Sequence, residues 1–281
     1  MSDQVADRET SGAAGIENAL CRSLLFEALS LALSEPADAA LARLRSREAR
    51  EALLFAAGQL DRVEGSGLGP LAEAVAGPGA VFPSRDALSM EYQRLFGHTA
   101  RGPVSAYETE YGDDTLFQKP QEMSDVAGFF GAFGLTPASG ATERVDHIAC
   151  EVEFASFLAR KEAYALESGD TEMLEVTRAA QRSFFRDHLG RFVPSFARRT
   201  AGVDPDGFHA RAAMLLLELT RAEGRRLEVS LGPEMLRLRE PVDDGAPMAC
   251  GSCDGAETPG DADEADAGSP LVGIDPPLAG Q

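Results

Sequence analysis

Apolar residues recur at intervals of three and four along most of the first 230 positions, and no run alternates as a half-buried strand does. Pro, Gly and capping residues divide this pattern into separate segments. Helices are predicted over residues 16–34, 37–62, 85–96, 121–133, 143–168, 171–188 and 208–227, with a helical turn at 70–76 and an extension or bend near Pro194. The sequence therefore predicts an all-α fold, a single multi-helix bundle around one large core.

The segment 143–162 contains no Pro or Gly and combines a packing face with a polar face. On a helix, Glu143, His147 and Glu151 would lie four residues apart on one side, opposite an apolar stripe. These side chains could bind a metal, but two-metal sites in bundles need a Glu-x-x-His pair on a facing helix, and no other predicted helix carries one. The alternative is a polar network that orders the preceding loop, with Asp146 near the helix start and His147 titrating near neutrality.

The connection at residues 97–120 is longer than the roughly 12–15 residues beyond which loops are usually functional or disordered. It contains the run Tyr107-Glu-Thr-Glu-Tyr-Gly112, and its aromatic residues favour an ordered, exposed loop. The two Tyr could line a peptide groove, and the carboxylates between them would suit a basic ligand. For Tyr92 and Phe96, on the preceding helix, places in that groove and in the core both remain open.

Composition and charge exclude several classes of partner. Ala, Leu, Arg and Glu dominate the 281 residues, Trp is absent, and the formal net charge is −20. Nucleic acid and anionic membranes attract clustered Lys and Arg, so this acidic excess argues against both. It is compatible with a basic partner such as an Arg-rich peptide, and equally with simple solubility. Because no secretory signal and no membrane-spanning window are found, a cytoplasmic protein is expected.

Residues 240–281 differ from the rest of the chain: they are rich in Asp, Glu, Gly, Ala and Pro and contain no Lys or Arg. This composition predicts a disordered acidic tail after a helical domain at residues 16–239, with residues 1–15 as a flexible N-terminus. The tail carries Cys250 and Cys253 as a Cys-x-x-Cys pair, which could be half of a metal site, a redox dithiol or an inert pair.

No P-loop, dinucleotide fingerprint or nucleophile motif is found in the sequence. The sequence therefore favours a binding protein that is not an enzyme and needs no cofactor. The alternative is a metal-binding or redox-active helical protein that uses Glu143, His147 and Glu151, or the Cys pair.

Three motifs occur in a recognisable order: Glu91-Tyr-Gln-Arg-Leu-Phe-Gly97, then Tyr107-Glu-Thr-Glu-Tyr-Gly112, then Glu143-Arg-Val-Asp-His147. Together they make the chain similar to the redox-enzyme maturation chaperones of the TorD/DmsD/NarJ type, over about residues 16–230. In that family the third motif commonly reads Glu-Pro-x-Asp-His, and Arg144 stands here in the place of the Pro.

The resemblance implies an all-helical bundle that acts as a cytoplasmic chaperone for the catalytic subunit of a molybdopterin-dependent oxidoreductase. The expected partner is the apo catalytic subunit or its twin-arginine signal peptide, held until the cofactor is inserted, with a homodimer left open. An acidic groove formed by the loop and the Asp-His hinge would capture an Arg-containing segment of this client. With Tyr111 added from the loop, the residues expected to bind the client are Tyr92, Leu95, Phe96, Tyr107, Glu108, Tyr111, Asp146 and His147.

Overall fold

The computed structural model describes residues 2–80, 82–97, 101–113, 118–137, 143–240 and 274–275. The α-helices within these ranges are α1 (Ser2–Leu33), α2 (Asp38–Arg45), α3 (Arg47–Glu64), α4 (Leu68–Ala76), α5 (Arg85–Phe96), α6 (Gln118–Ala132), α7 (Ile148–Ser168), α8 (Thr171–Phe184), α9 (Gly190–Val203) and α10 (Phe208–Leu227). A 3₁₀ turn covers Glu108–Glu110, and a π-helical turn covers Phe185–Leu189. The predicted all-α bundle is confirmed.

The core lies between α1 and α7, which make the most extensive contact of any two elements, while α10 packs on α9 and α4. Leu25 and Leu29 of α1 are buried in this core. Phe154 of α7 is fully buried, with its ring centroid 4.8 Å from those of Phe130 and Phe184. Each such side chain contributes roughly 1.5–3 kcal/mol through burial, so the aromatic cluster fixes α6 and α8 against α7.

A buried carboxylate joins four helices on the far side of α7. Glu162 accepts hydrogen bonds from Arg22 Nη2 at 2.6 Å, Arg178 Nε at 2.9 Å and Gln181 Nε2 at 3.1 Å. Arg226 Nη1 lies 3.4 Å from the same carboxylate. Burial alone would raise the pKa of Glu162, but the surrounding guanidinium groups more than offset it, so the net shift is downward. The ionised carboxylate therefore ties α1, α8 and α10 to α7.

Two of the predicted helices, 85–96 and 208–227, have the observed boundaries. The single helix predicted over 37–62 is wrong, because Ser46 divides it into α2 and α3. The Ser46 side chain accepts a hydrogen bond from the backbone N–H of Ala49, which is the geometry of an N-cap. The chain therefore ends one helix and starts the next within a single residue.

The helix predicted over 171–188 also differs from the structure, because its last turn is a π-helical turn that leads directly into α9. Gly190 opens α9, where a Cβ would lie only 2.2 Å from the carbonyl oxygen of Phe185. Only glycine allows this approach. Pro194 lies inside α9 without ending it.

Two further differences concern the start of α7 and the presence of strands. The central helix α7 begins at Ile148 rather than at residue 143. A minimal antiparallel pair joins β1 (Thr136–Pro137) to β2 (Ile274–Asp275), whereas the sequence predicts no strand. Of the acidic tail predicted at 240–281, the structure describes only residues 240, 274 and 275, so the expected disorder and the Cys250/Cys253 pair lie outside the described residues. None of the described helices is both long and apolar enough to cross a membrane.

Candidate functional site

The second and third sequence motifs meet through their backbones. We call residues 103–112 the Tyr-Glu loop and residues 143–147 the hinge. The backbone N–H of Glu108 donates to the Asp146 carbonyl at 2.9 Å, and that of Ile148 donates to the Ala106 carbonyl at 2.7 Å. Tyr107 and His147 thereby face each other as an isolated antiparallel bridge. The loop is therefore fixed to the start of α7.

His147 caps α7 with its side chain. Its Nδ1 accepts a hydrogen bond from the backbone N–H of Ala149 at 3.1 Å, so the ring proton is on Nε2, 3.0 Å from the Tyr92 hydroxyl. Burial lowers the pKa of His147, which has no exposed surface. The expectation that His147 titrates near neutrality is therefore wrong: it is a neutral, buried capping residue.

Asp146 is the carboxylate that holds the hinge to the loop. It accepts hydrogen bonds from the Thr109 hydroxyl at 2.8 Å and from Arg144 Nε and Nη2 at 2.9 and 2.7 Å. Burial alone would raise the pKa of Asp146. The hydrogen bonds and charge of Arg144, followed by the hydrogen bonds of Thr109, outweigh this effect, so the pKa of Asp146 is lowered. Asp146 is therefore ionised and paired.

Arg144, which stands in the place of the family's Pro, also covers Tyr107. Its guanidinium carbon lies 4.3 Å from the centre of the Tyr107 ring, a cation–π contact. The Tyr107 hydroxyl donates to Glu143 at 2.6 Å, and burial followed by this carboxylate raises the Tyr107 pKa. An ion pair and a stacked ring thus provide local order where a Pro would have restricted the backbone.

A second polar cluster lies beneath the loop, where Glu108 points into the bundle. Its carboxylate accepts hydrogen bonds from His188 Nδ1 at 3.1 Å and from Arg191 Nε and Nη2 at 3.1 and 2.8 Å. Glu151 of α7 is also fully buried in this cluster, and neither of its oxygens has a hydrogen-bond partner among the described residues.

Glu151 lies beside Glu108, and two carboxylates form no hydrogen bond with each other unless one carries a proton. Burial, followed by the charges of Glu108 and Asp146, raises the pKa of Glu151 well above 4.5. Glu151 is therefore the member of the pair that holds a proton, while the Glu108 carboxylate is hydrogen-bonded by Arg191.

The structure places the predicted site residues at different depths. The expectation of an exposed loop is wrong, because Tyr111 and Glu108 are buried and the Tyr111 hydroxyl donates to the Ser105 carbonyl at 2.7 Å. Tyr107 alone of the eight is partly exposed. The others, which the fold brings together around the loop and hinge as buried side chains, are Tyr92, Leu95, Phe96, Glu108, Tyr111, Asp146 and His147.

The helical face predicted for Glu143, His147 and Glu151 is not formed. Glu143 and His147 precede α7, Glu143 pairs with Tyr107, and Glu151 faces Glu108. Across the described residues, no three His, Cys, Asp or Glu side chains are arranged to hold a metal ion. The described part of the chain therefore gives no support to the metal-binding alternative.

The sequence reasoning missed several residues that complete the site: Thr109, His188, Arg191 and Arg239. Arg239 is buried although it lies at the edge of the predicted tail, and its guanidinium donates to the Thr109 carbonyl at 2.7 Å. A sequence signal existed only for His188 and Arg191, whose polar side chains lie three residues apart, the spacing of neighbours on one helical face.

Comparison with known proteins agrees with the three motifs. Residues 67–198, which include α5, the loop and the hinge, match the family model described as nitrate reductase delta subunit. No solved structure matches the chain significantly.

Curated relatives carry chaperone names. The chaperone protein TorD of Vibrio cholerae serotype O1 (strain M66-2) is 27% identical over 143 residues, which cover 50% of this chain and 62% of that protein. TorD of Vibrio atlanticus (strain LGP32) is 27% identical over 143 residues, covering 50% and 64%. The selenate reductase assembly chaperone protein of Thauera selenatis is 28% identical over 145 residues, covering 51% and 72%. The chain thus spans less than two thirds of the length of the TorD relatives. The motifs and these matches together make the chain similar to the TorD/DmsD/NarJ-type molybdoenzyme maturation chaperones, over the segment that contains the loop and the hinge.

Proposed function

We propose that this protein is a cytoplasmic, system-specific chaperone. It binds the apo catalytic subunit of a molybdopterin-dependent oxidoreductase, at or near a twin-arginine signal peptide, and assists cofactor insertion and assembly before export. The observation that carries the proposal is the contact between the Tyr-Glu loop and the hinge, because two motifs of the family meet there within the segment that matches the family model.

The surface at this contact has the chemistry that an arginine-bearing peptide requires. Tyr107 offers an aromatic face, and its hydroxyl donates to the Glu143 carboxylate, whose side chain is 22% exposed. Glu110, 15% exposed in the same loop, adds a second carboxylate that already pairs with Arg101 and Lys119. Arg144 is 44% exposed and already stacks on the Tyr107 ring, so a client guanidinium could use the same ring. The buried residues beneath act as supports that hold this surface in position.

The chaperone performs no covalent step in this proposal. A client segment binds while the catalytic subunit is unfolded around its empty cofactor site, and it is released when folding around the cofactor withdraws the segment. Such a role needs moderate affinity, because extended segments that order on binding lose conformational entropy at that moment.

The proposal is tested in two stages. Tagged protein is first purified from its native host, and mass spectrometry asks whether a molybdoenzyme catalytic subunit is enriched. Calorimetry then measures binding of a synthetic peptide that spans the twin-arginine segment of that subunit. Glu143→Gln and Tyr107→Phe should weaken binding at least tenfold, whereas Glu172→Gln, at an exposed position of α8, should leave it unchanged.

Asp146→Ala and His147→Ala extend the test to the buried supports, with circular dichroism to confirm that each variant is folded. Unchanged affinity in all four site variants would remove the loop and hinge from the client site. Absence of any molybdoenzyme subunit from the purified complex would contradict the function itself.

A further inference from the structure

The chain that follows α10 runs back across the bundle as an extended strap, residues 229–240. The backbone N–H of Gly232 donates to the Gly190 carbonyl at 3.0 Å, and that of Leu236 donates to the Ser195 hydroxyl at 2.9 Å. A Cβ at Gly232 would lie 2.0 Å from the Arg191 carbonyl oxygen, so the strap lies directly on α9. This path brings its last residues to the Tyr-Glu loop.

At the loop the strap binds as a short strand. The Gly112 N–H donates to the Arg237 carbonyl and the Arg239 N–H donates to the Glu110 carbonyl, both at 2.9 Å. Tyr111 and Leu238 lie opposite each other in this antiparallel bridge. Addition of an extended segment to a backbone edge is a common way in which proteins bind peptides.

The side chain of Arg239 enters a site made for a guanidinium. Nη1 donates to the Thr109 carbonyl at 2.7 Å, and Nε donates to the Asp113 carbonyl at 3.0 Å. The carboxylate of Glu122 accepts from Nη1 and Nη2 at 3.0 and 3.1 Å, a bidentate pair. Arg101 also donates to the Arg239 carbonyl, so both the side chain and the backbone of this residue are bound.

We propose that this is an arginine-binding site of the chaperone, and that the strap is a placeholder which an extended, arginine-bearing client segment replaces. The inference rests on the proposed function, since it names how that client is held. Three features carry it: an extended backbone paired to the loop, a guanidinium held by Glu122 and two carbonyls, and a position within the same loop that presents Tyr107.

The strap competes with the client because both are extended and both offer an arginine. As part of the same chain, it is present at an effective concentration in the millimolar range, so only a client with further contacts replaces it. Those further contacts are available at the Tyr107 and Glu143 surface, which the strap does not occupy. The strap therefore covers the site in the absence of client and selects against peptides that offer an arginine alone.

The test uses a fluorescent peptide with the sequence of residues 229–240 and a control peptide with Arg239→Ala, each added to the full chain. In the Arg239→Gln chain the internal arginine is lost, so the wild-type peptide should bind at least tenfold more tightly than it binds the wild-type chain. The control peptide should bind at least tenfold more weakly than the wild-type peptide. Adding Glu122→Gln to this chain should abolish the difference between the two peptides, and Arg237→Gln, a surface change, should not mimic Arg239→Gln.

A folded Arg239→Gln chain that binds neither peptide, or binds both equally, would overturn the proposal and leave Arg239 as a fixed structural contact. Hydrogen exchange on the wild-type chain gives a second measurement that needs no variant: the client's twin-arginine peptide should accelerate exchange at the Gly112 and Arg239 amides. If the client peptide binds by calorimetry while these amides remain protected, the placeholder is refuted and the chaperone function stands. If no client peptide binds, the function itself fails.

Discussion

The guanidinium of Arg144 holds the buried carboxylate of Asp146 through two hydrogen bonds, from Nε at 2.9 Å and from Nη2 at 2.7 Å. Asp146 in turn bonds to the Thr109 hydroxyl, so this pair joins the hinge to the Tyr-Glu loop. The Pro common in the family would restrict the hinge through its ring. In this chain an ion pair with one buried partner gives that restriction, and it should respond to mutation and pH as an ion pair does.

Arg144→Ala is expected to lower the free energy of unfolding by about 1–2 kcal/mol, because it leaves the buried Asp146 carboxylate with fewer donors. This loss of stability is smaller than that expected for a fully buried ion pair, because the Arg144 side chain is 44% exposed. Urea denaturation measures the change. Arg47→Ala is the matched control, because Arg47 forms an exposed i,i+4 pair with Glu51 and should cost less than about 0.5 kcal/mol. Equal effects of the two changes would show that Arg144 does not hold the hinge.

Asp146 should make the protein sensitive to acid. Its pKa in the folded state lies below its ordinary value of 3.8. The stability that it contributes is therefore fully present above that ordinary value and is lost as the pH falls through the folded-state pKa. Asp146→Asn should be less stable than wild type at pH 7, and the difference should shrink below about pH 4. Urea denaturation at several pH values checks this, and a difference that stays constant down to pH 2 would contradict it.

Glu151 should have the opposite pH dependence. Because its folded-state pKa is raised well above 4.5, its favourable contribution is present below that value and is lost as the pH rises through the folded-state pKa. Glu151→Gln keeps the shape of the protonated acid and can donate to Glu108, so at pH 8 it should be about 1–2 kcal/mol more stable than wild type. The gain should disappear near pH 4. Glu167→Gln, at an exposed position of the same helix, should show neither effect, and a destabilised Glu151→Gln variant at pH 8 would refute the assignment.

The Glu162 network should be the most sensitive polar feature of the bundle. Glu162→Gln removes a charge paired with Arg22, Arg178 and Arg226, and leaves Glu223 as the other carboxylate on Arg22 and Arg226. Loss of one partner from a buried ionic group costs about 3–5 kcal/mol. Thermal and urea denaturation should show a large loss of stability with the helical signal retained at low temperature. Glu172→Gln on α8 serves as the control. A loss below about 1 kcal/mol would mean that apolar packing, rather than this network, joins the four helices.

Local sequence signals were sufficient to predict several of the helices. Ser84 and Gly97 flank α5 with the expected N-cap and C-terminal glycine, and the Ser84 side chain accepts from the Ala87 N–H at 3.2 Å. The apolar periodicity predicted the all-α class and the face of α7 that packs into the core. The three motifs indicated the resemblance to the TorD/DmsD/NarJ-type chaperones, because their residue types and order are visible without any knowledge of contacts.

The contacts of the polar residues depend on the folded arrangement and could not be predicted from the sequence. Asp146 accepts a hydrogen bond from Thr109, which lies 37 positions earlier in the sequence. Arg239, 130 positions after Thr109, donates to the carbonyl of the same residue. No periodic pattern encodes such pairings, because they depend on where the folded bundle brings distant segments together. The sequence also predicts helix over the hinge, because residues 143–162 contain no Pro or Gly. In the structure the hinge backbone pairs with the Tyr-Glu loop, and the His147 side chain caps α7. Burial, followed by the charge of Glu108, raises the pKa of Glu151 and keeps a proton on it, and both causes depend on its neighbours in the folded bundle.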